Sequence, residues 1–338
     1  MQTLPVDPFD MPILGKIHRI TLPTPFPVGP VHTYLVEGEP LTLIDTGPAT
    51  PEAWEALLVG LRQHGYAPAD LERIIVTHAH TDHFGLVGRL VDLSGAEVWS
   101  SRQSQPWLED APGFHEQRKN FWYEMLAACG VPLALAEPSA RLYASFRRLQ
   151  TYAAVTRFLQ EGDRFEMAGL QWETLYCPGH SSSLLCFYQP RSRLLVGNDH
   201  LLAHITSNAI VEPPPQGETG RRRPLIEYWR SLRRVYELEL DLVLTGHEEA
   251  VADPCGLIKE RFRFYERRLG RLRQLLAAGP RTVWELAQAI FRQLDNVDVF
   301  LAASEIVGHL DVLEEQGEVV VHVDDGIWRY ELATVPVG

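Results

Sequence analysis

The run Thr77-His78-Ala79-His80-Thr81-Asp82-His83 packs three imidazoles and a carboxylate into six residues, directly after an apolar stretch that ends at Val76. In a loop or a first helical turn these groups converge on a small volume, where protonated imidazoles would repel one another. A divalent cation resolves that conflict, because neutral imidazole nitrogen and carboxylate oxygen are both good ligands for zinc. One ion needs about four ligands, so this run has donors enough to begin two sites. Completing them requires donors from elsewhere, and His180, Asp199 and His247 stand at three other points where apolar runs stop. Asp82 is placed to take part in proton transfer as well as ligation.

The surrounding pattern predicts how such residues are brought together. Short apolar, β-branched runs repeat through the first two-thirds of the chain, each stopping at a polar or glycine-containing turn. Leu41 to Ile44 stops at Asp45-Thr46-Gly47, Arg73 to Val76 at Thr77-His78, and Trp172 to Tyr176 at Cys177-Pro178-Gly179-His180. Leu194 to Val196 stops at Gly197-Asn198-Asp199, and Leu242 to Leu244 at Thr245-Gly246-His247. Each reads as a buried strand followed by a turn, so the polar residues share one rim of a sheet assembly. Helical patterns lie between them over Pro51 to His64, with Thr50 as N-cap and Pro51 at the first helical position, and over Pro224 to Leu238. Strands alternating with helices predict an α/β layered fold.

Two segments depart from this pattern. Residues 101–160 carry Trp107, Phe114, Phe121, Trp122, Tyr123, Tyr143, Phe146 and Tyr152 among charges at helical spacing, which predicts an inserted helical subdomain. Glu212 to Arg223, with Pro213-Pro214-Pro215, Gly217, Gly220 and Arg221-Arg222-Arg223, reads as a loop whose arginines are either solvated or available to an anionic substrate group. The α/β region is expected over residues 1–250. In the tail, residues 251–338, a long helix to about Ala278 precedes helices at Thr282 to Phe291 and Phe300 to Glu315. A hairpin follows, Val319 to Val323 and Ile327 to Leu332, around an Asp-Gly turn. Three helices and a hairpin in that order suggest a winged-helix-like domain.

The run from Thr77 to His83 matches the HxHxDH signature of the metallo-β-lactamase superfamily. Asp45-Thr46-Gly47, Pro178-Gly179-His180, Gly197-Asn198-Asp199 and Gly246-His247 resemble its other motifs, in the same order, so the likeness covers roughly residues 17–250. The resemblance implies an αβ/βα sandwich of two packed sheets with helices outside. It also implies two ions, most simply Zn2+ with iron or manganese as alternatives. His78, His80 and His180 would hold the first, Asp82, His83 and His247 the second, and Asp199 would bridge them. Asp45 would orient a ligand or the bound water. Chemistry would run through a metal-bridging hydroxide. Aspartate at 199, where the best-known zinc β-lactamases use cysteine, argues against antibiotic hydrolysis, and Cys177 lies in the wrong motif to replace it. Histidine at 80, where the diiron flavoprotein branch has glutamate, favours zinc.

The order of parts looks like the lactamase-β-2-like branch, close to glyoxalase II, and that likeness implies an ester or thioester substrate, small or carrier-linked. Two alternatives stay open: an endoribonuclease of the lactamase-β-2-like type, and a mononuclear iron persulfide dioxygenase. His200, next to Asp199, and His204 and Asn208, in a stretch resembling a segment beyond the bridging aspartate in related bacterial chains, are candidate pocket residues. His18, His32, His64, His115, His309 and His322 stand alone and read as ordinary surface or core residues.

Charge limits the partners. The chain has 338 residues and a formal net charge of -13, which gives no bulk attraction to nucleic acid or an anionic membrane. Between Arg292 and Arg329 there is no Lys or Arg, while Asp295, Asp298, Glu305, Asp311, Glu314, Glu315, Glu318, Asp324 and Asp325 all occur. A DNA-reading wing needs the opposite sign, so the tail is expected to pack on the hydrolase, wall a cleft or make a homodimer contact. No apolar run reaches a membrane span, and the leading segment with Pro5, Pro8 and Pro12 has no signal-peptide pattern. Four scattered cysteines without a CxxC pair fit a reduced, cytoplasmic setting.

Overall fold

The computed structural model describes residues 11–214, 220–292, 294 and 296–333. Pro5 and Pro8 of the leading segment, Pro215 and Gly217 of the proline-rich loop, and Asp295 of the acidic tail lie outside the described residues. Two compact units result, one of residues 1–111, 147–207 and 231–258, the other of residues 112–146, 208–230 and 259–338.

In the first unit, β1 (Ile17–Leu22), β2 (Val31–Val36), β3 (Thr42–Ile44), β4 (Arg73–Ile75), β5 (Glu97–Ser101) and β6 (Arg157–Leu159) form one sheet in sequence order. A second sheet runs in the order β11-β10-β9-β8-β7, from β7 (Arg164–Met167), β8 (Leu170–Tyr176), β9 (Leu185–Gln189), β10 (Leu194–Asn198) and β11 (Leu242–Thr245). Inward-facing side chains of both sheets make one core. Tyr34, Val36, Ile44, Ile75 and Trp99 of the first sheet share it with Phe165, Trp172, Phe187, Val196 and Leu244 of the second. Full burial of each large apolar side chain contributes roughly 1.5–3 kcal/mol. This is the mixed α/β sandwich that the sequence predicts.

Helix α1 (Pro51–Gln63) crosses from β3 to β4. Thr50 Oγ1 accepts the Ala53 N–H at 3.1 Å, and the buried residues Ala53, Leu57, Gly60 and Leu61 fall on one helical face. Short helices α2 (Thr81–Phe84) and α3 (Val87–Ser94) cross from β4 to β5, and α4 (Gln105–Leu108) follows β5. Because β3, β4 and β5 are parallel, their C-terminal ends share one edge, where Asp45 and the 77–83 loop emerge. β10 and β11 are likewise parallel, so Asp199 and His247 emerge together. Helical residues fill much of the 101–160 segment, but Arg157–Leu159 is instead the edge strand β6, paired in parallel with β5.

The second unit contains α5 (Phe114–Ala128), α6 (Leu133–Ser145), the start of α7 (Pro224–Tyr236) and most of α8 (Pro254–Leu276). It ends with α9 (Val283–Ile290), α10 (Asn296–Glu315) and a small sheet of order β12-β14-β13. Those strands are β12 (Arg281–Thr282), β13 (Val319–Asp324) and β14 (Ile327–Leu332). Thr282 and Glu285 cap α9 reciprocally. The β13–β14 turn places Asp325 and Gly326 at positive φ, as an Asp-Gly hairpin requires. Trp122, Tyr143 and Phe300 meet with their rings steeply tilted, which places two aromatics of the 101–160 segment in the packing of this unit.

Candidate metal centre

Three ring nitrogens converge first. His78 Nε2 lies 3.1 Å from His80 Nδ1, which lies 3.0 Å from His180 Nε2. A neutral imidazole has one N–H, so three nitrogens facing one another at this range present more lone pairs than protons can satisfy. Beside them, Asp82, His83 and His247 place their donor atoms within 4.8 Å of one another. One oxygen reaches both groups. Asp199 Oδ2 lies 3.4 Å from His180 Nε2 and 3.9 Å from His78 Nε2, and on the other side 3.3 Å from His83 Nε2 and 3.6 Å from His247 Nε2. Buried His83 Nε2 and Asp199 Oδ1 have no hydrogen-bond partner among the described residues. An orphaned nitrogen and oxygen amid clustered imidazoles fit a pair of divalent ions.

The outer contacts fix which nitrogen of each ring faces inward. Asp45 Oδ2 accepts from the Thr77 hydroxyl at 2.8 Å, so the Thr77 oxygen, 3.1 Å from His78 Nδ1, must accept the proton on that nitrogen. His83 Nδ1 donates to Asp45 Oδ2 at 2.9 Å, and His247 Nδ1 to the Pro30 carbonyl at 2.7 Å. In all three rings Nε2 is therefore the nitrogen turned to the centre. Asp45, His78 and His83 also form a geometrically close trio. Asp45, however, already accepts from Thr77 N, Thr77 Oγ1, His83 Nδ1 and Asn198 Nδ2. Three of these donors fall on Oδ2 and one on Oδ1, which places Asp45 to orient Thr77, His83 and Asn198.

Electrostatics keep the carboxylates ionised and divide the imidazoles. Burial, reinforced by His83 and His80, holds His78 well below the usual imidazole range. Burial pushes the Asp199 carboxyl up, but His83 and His247 outweigh it and hold it well below the carboxylate range. The same opposition holds Asp82 at about 2. Burial pushes His83 and His247 down, but the Asp199 and Asp82 carboxylates outweigh it and hold both above the usual imidazole range, so a divalent cation binding there takes the place of protons.

Backbone geometry supports the centre. Asp45 and Asn198 adopt positive φ, at 58° and 47°, a conformation that Asp and Asn tolerate better than most residues. Asn198 ties two motifs together: its side-chain nitrogen donates to Asp45 at 2.6 Å and its oxygen accepts the Asp199 N–H at 3.0 Å. Ser183 Oγ accepts the Ala79 N–H at 3.0 Å and so anchors the loop between His78 and His80. The sequence reading gave no role to either residue. Asn198 sat inside a recognisable motif, whereas Ser183 and the Pro30 carbonyl had no signal, because a backbone acceptor has no residue signature.

The three candidate pocket residues differ in placement. His200 is fully buried, and burial followed by the Arg234 and His180 charges pushes it down to about 3. His204 is exposed, its ring paired with the Glu249 carboxylate and its N–H donating to Glu248. Asn208 belongs to the second unit, where its amide donates to the Leu301 carbonyl at 3.1 Å. The arginine triplet is engaged by acids: Arg221 by Asp311, Arg222 by Glu227 at 2.7 Å and Arg223 by Glu314 at 2.6 Å. Two of those acids lie on α10, so the charge of the tail serves internal pairing.

Residues 26–247 match the metallo-β-lactamase superfamily, and residues 269–333 match the metallo-β-lactamase-like C-terminal domain. The chain belongs to the metallo-β-lactamase superfamily. It is 36% identical over 298 residues to a probable metallo-hydrolase of Bacillus subtilis, covering 88% of this chain and 92% of that one. The crystal structure of a metallo-β-lactamase family protein from Thermus thermophilus superposes with a TM-score of 0.80 at 26% identity, over 94% of this chain and 99% of the other. A more distant superfamily relative, the atrochrysone carboxyl ACP thioesterase of Aspergillus fumigatus, is 23% identical over 80% of this chain and 72% of its own length. Together with the His/Asp clusters, these relationships make the chain a metallo-hydrolase.

Proposed function

We propose that the protein hydrolyses an ester or thioester, small or carrier-linked, with two divalent ions, most simply zinc. The observation that carries this reading is the position of Asp199 Oδ2 between the two histidine groups, which is where a carboxylate shared by two ions belongs. In this reading His78 Nε2, His80 Nδ1 and His180 Nε2 hold the first ion, and Asp82, His83 and His247 the second. When bound, the ions supply a hydroxide near neutral pH and polarise the substrate carbonyl.

The protein side chains do the rest. Asp82 is an ionised carboxylate of the second group, with a side chain 13% exposed, so it is placed to accept and return a proton where substrate arrives. Asp45 holds His83 and, through Thr77, His78 in the orientation that turns Nε2 to the centre. The thioesterase relative, distant as it is, supports acyl transfer to water as the reaction class. Placement near glyoxalase II, a winged-helix-like tail and a cytoplasmic setting belong to the same proposal.

The test combines metal counting with a substrate panel. Two zinc ions per chain and turnover of acyl-pantetheine or other thioesters are the expected results. One iron per chain with oxygen-dependent persulfide oxidation, or cleavage of fluorescent single-stranded RNA without thioester turnover, would replace this reading.

A further inference from the structure

The loop that carries His180 is fastened by residues that touch no ion. β8 ends at Tyr176 and β9 begins at Leu185, so residues 177–184 must leave the sheet and return while holding one imidazole in place. Arg234, on α7, donates through Nη2 to the Tyr176 carbonyl at 2.6 Å and to Cys177 Sγ at 3.4 Å. Its Nη1 donates to Glu161 Oε2 at 3.0 Å, and that oxygen also accepts the Tyr176 N–H at 2.7 Å. Ser231, three residues earlier on the same helical face, donates Oγ to the Pro178 carbonyl at 2.9 Å. Within the loop, the Tyr176 hydroxyl donates to the Ser182 carbonyl at 2.7 Å. All of these residues lie in the first unit.

We propose that Arg234 and Ser231 are positioning residues for the metal centre, clamping the 176–180 turn so that His180 is set before an ion arrives. A ligand on an unrestrained loop must be ordered at the moment of binding, and that ordering subtracts from affinity. The planar guanidinium suits the task because it reaches two acceptors of one turn and a carboxylate together, which an ammonium does not do with fixed geometry. This inference rests on the reading that His180 is a metal ligand, and not on which ester is cleaved.

Zinc affinity of the full chain, measured by competition with a chromophoric chelator, provides the test. Arg234→Met should weaken one of the two zinc ions by about 10-fold, the lower end of the range for groups that touch a metal ligand directly. Ser231→Ala should weaken the same ion by less, and Arg234→Lys should recover part of the loss. In a His180→Ala background the remaining ion should bind equally well with Arg234 or with Met at 234, because the clamp acts through His180. Unchanged zinc affinity in both single variants, or an Arg234→Met effect that persists without His180, would overturn the proposal. Should Arg234→Met fail to fold, Ser231→Ala decides by the same criteria. A wild-type chain that binds two zinc ions but cleaves no ester removes the proposed substrate class and leaves the clamp. Thioester turnover with unaltered zinc binding in the variants does the reverse.

Discussion

His78, His83 and His247 each hold a proton on the nitrogen turned outward, and each does so because a fixed acceptor stands there: Thr77, Asp45 and the Pro30 carbonyl. A histidine held in this way meets a cation without turning its ring. His83 is the sharpest case, since its Nε2 is buried and has no hydrogen-bond partner among the described residues. His83→Ala should therefore lose one of two zinc equivalents, measured by elemental analysis, and should bring turnover down to background. Retention of both ions and full activity would remove His83 from the ligand set.

At the scale of elements, the centre depends on how closely chain segments approach one another. A Cβ added at Gly246 would lie 2.0 Å from Asp199 Oδ1, 2.7 Å from Asn198 Oδ1 and 3.0 Å from His83 Cε1. The turn between β11 and His247 has no room for a side chain, so glycine is needed here for space. Gly246→Ala should displace Asp199 and reduce zinc affinity at both sites by at least about 10-fold, taking the lower end of outer-contact effects. Chelator competition would detect it, and wild-type affinity would show that the turn can relax.

For the whole molecule, two features of the second unit set stability. Asp311 is fully buried and paired with Arg221, so Asp311→Ala leaves a largely buried guanidinium without its counter-charge. Such removal costs roughly 3–5 kcal/mol, and urea unfolding should show a loss of that order. His309 contributes to the pH dependence alongside buried His32 and His200. Burial pushes it from 6.5 down to about 4, although its Nδ1 donates to the Glu305 carbonyl. A group with a lowered folded-state value binds its proton more readily when unfolded, so its contribution is present above about pH 6.5 and fades as pH falls toward 4. Unfolding midpoints should drop across that window, and His309→Gln should flatten the slope. An unchanged slope would exclude His309 as a source.

Residue types and spacing alone were enough to locate the ligand candidates, because metal binding demands particular side chains and each motif ended an apolar run that did become a strand. Helix α1 with its Thr50 cap and the Asp-Gly hairpin were legible for the same reason, since local periodicity and turn chemistry are written in neighbouring residues. The six buried residues of β2 were not legible as a strand: His32 and Thr33 are polar, and only tertiary contacts bury them. Tertiary structure alone decided that Asp45 gathers four donors from Thr77, His83 and Asn198. It alone also decided that Arg221 and Arg223 meet acids of the tail and that Arg234 grips the His180 turn. Such pairings join residues far apart in the chain, and no local pattern encodes which distant partner a charge will meet.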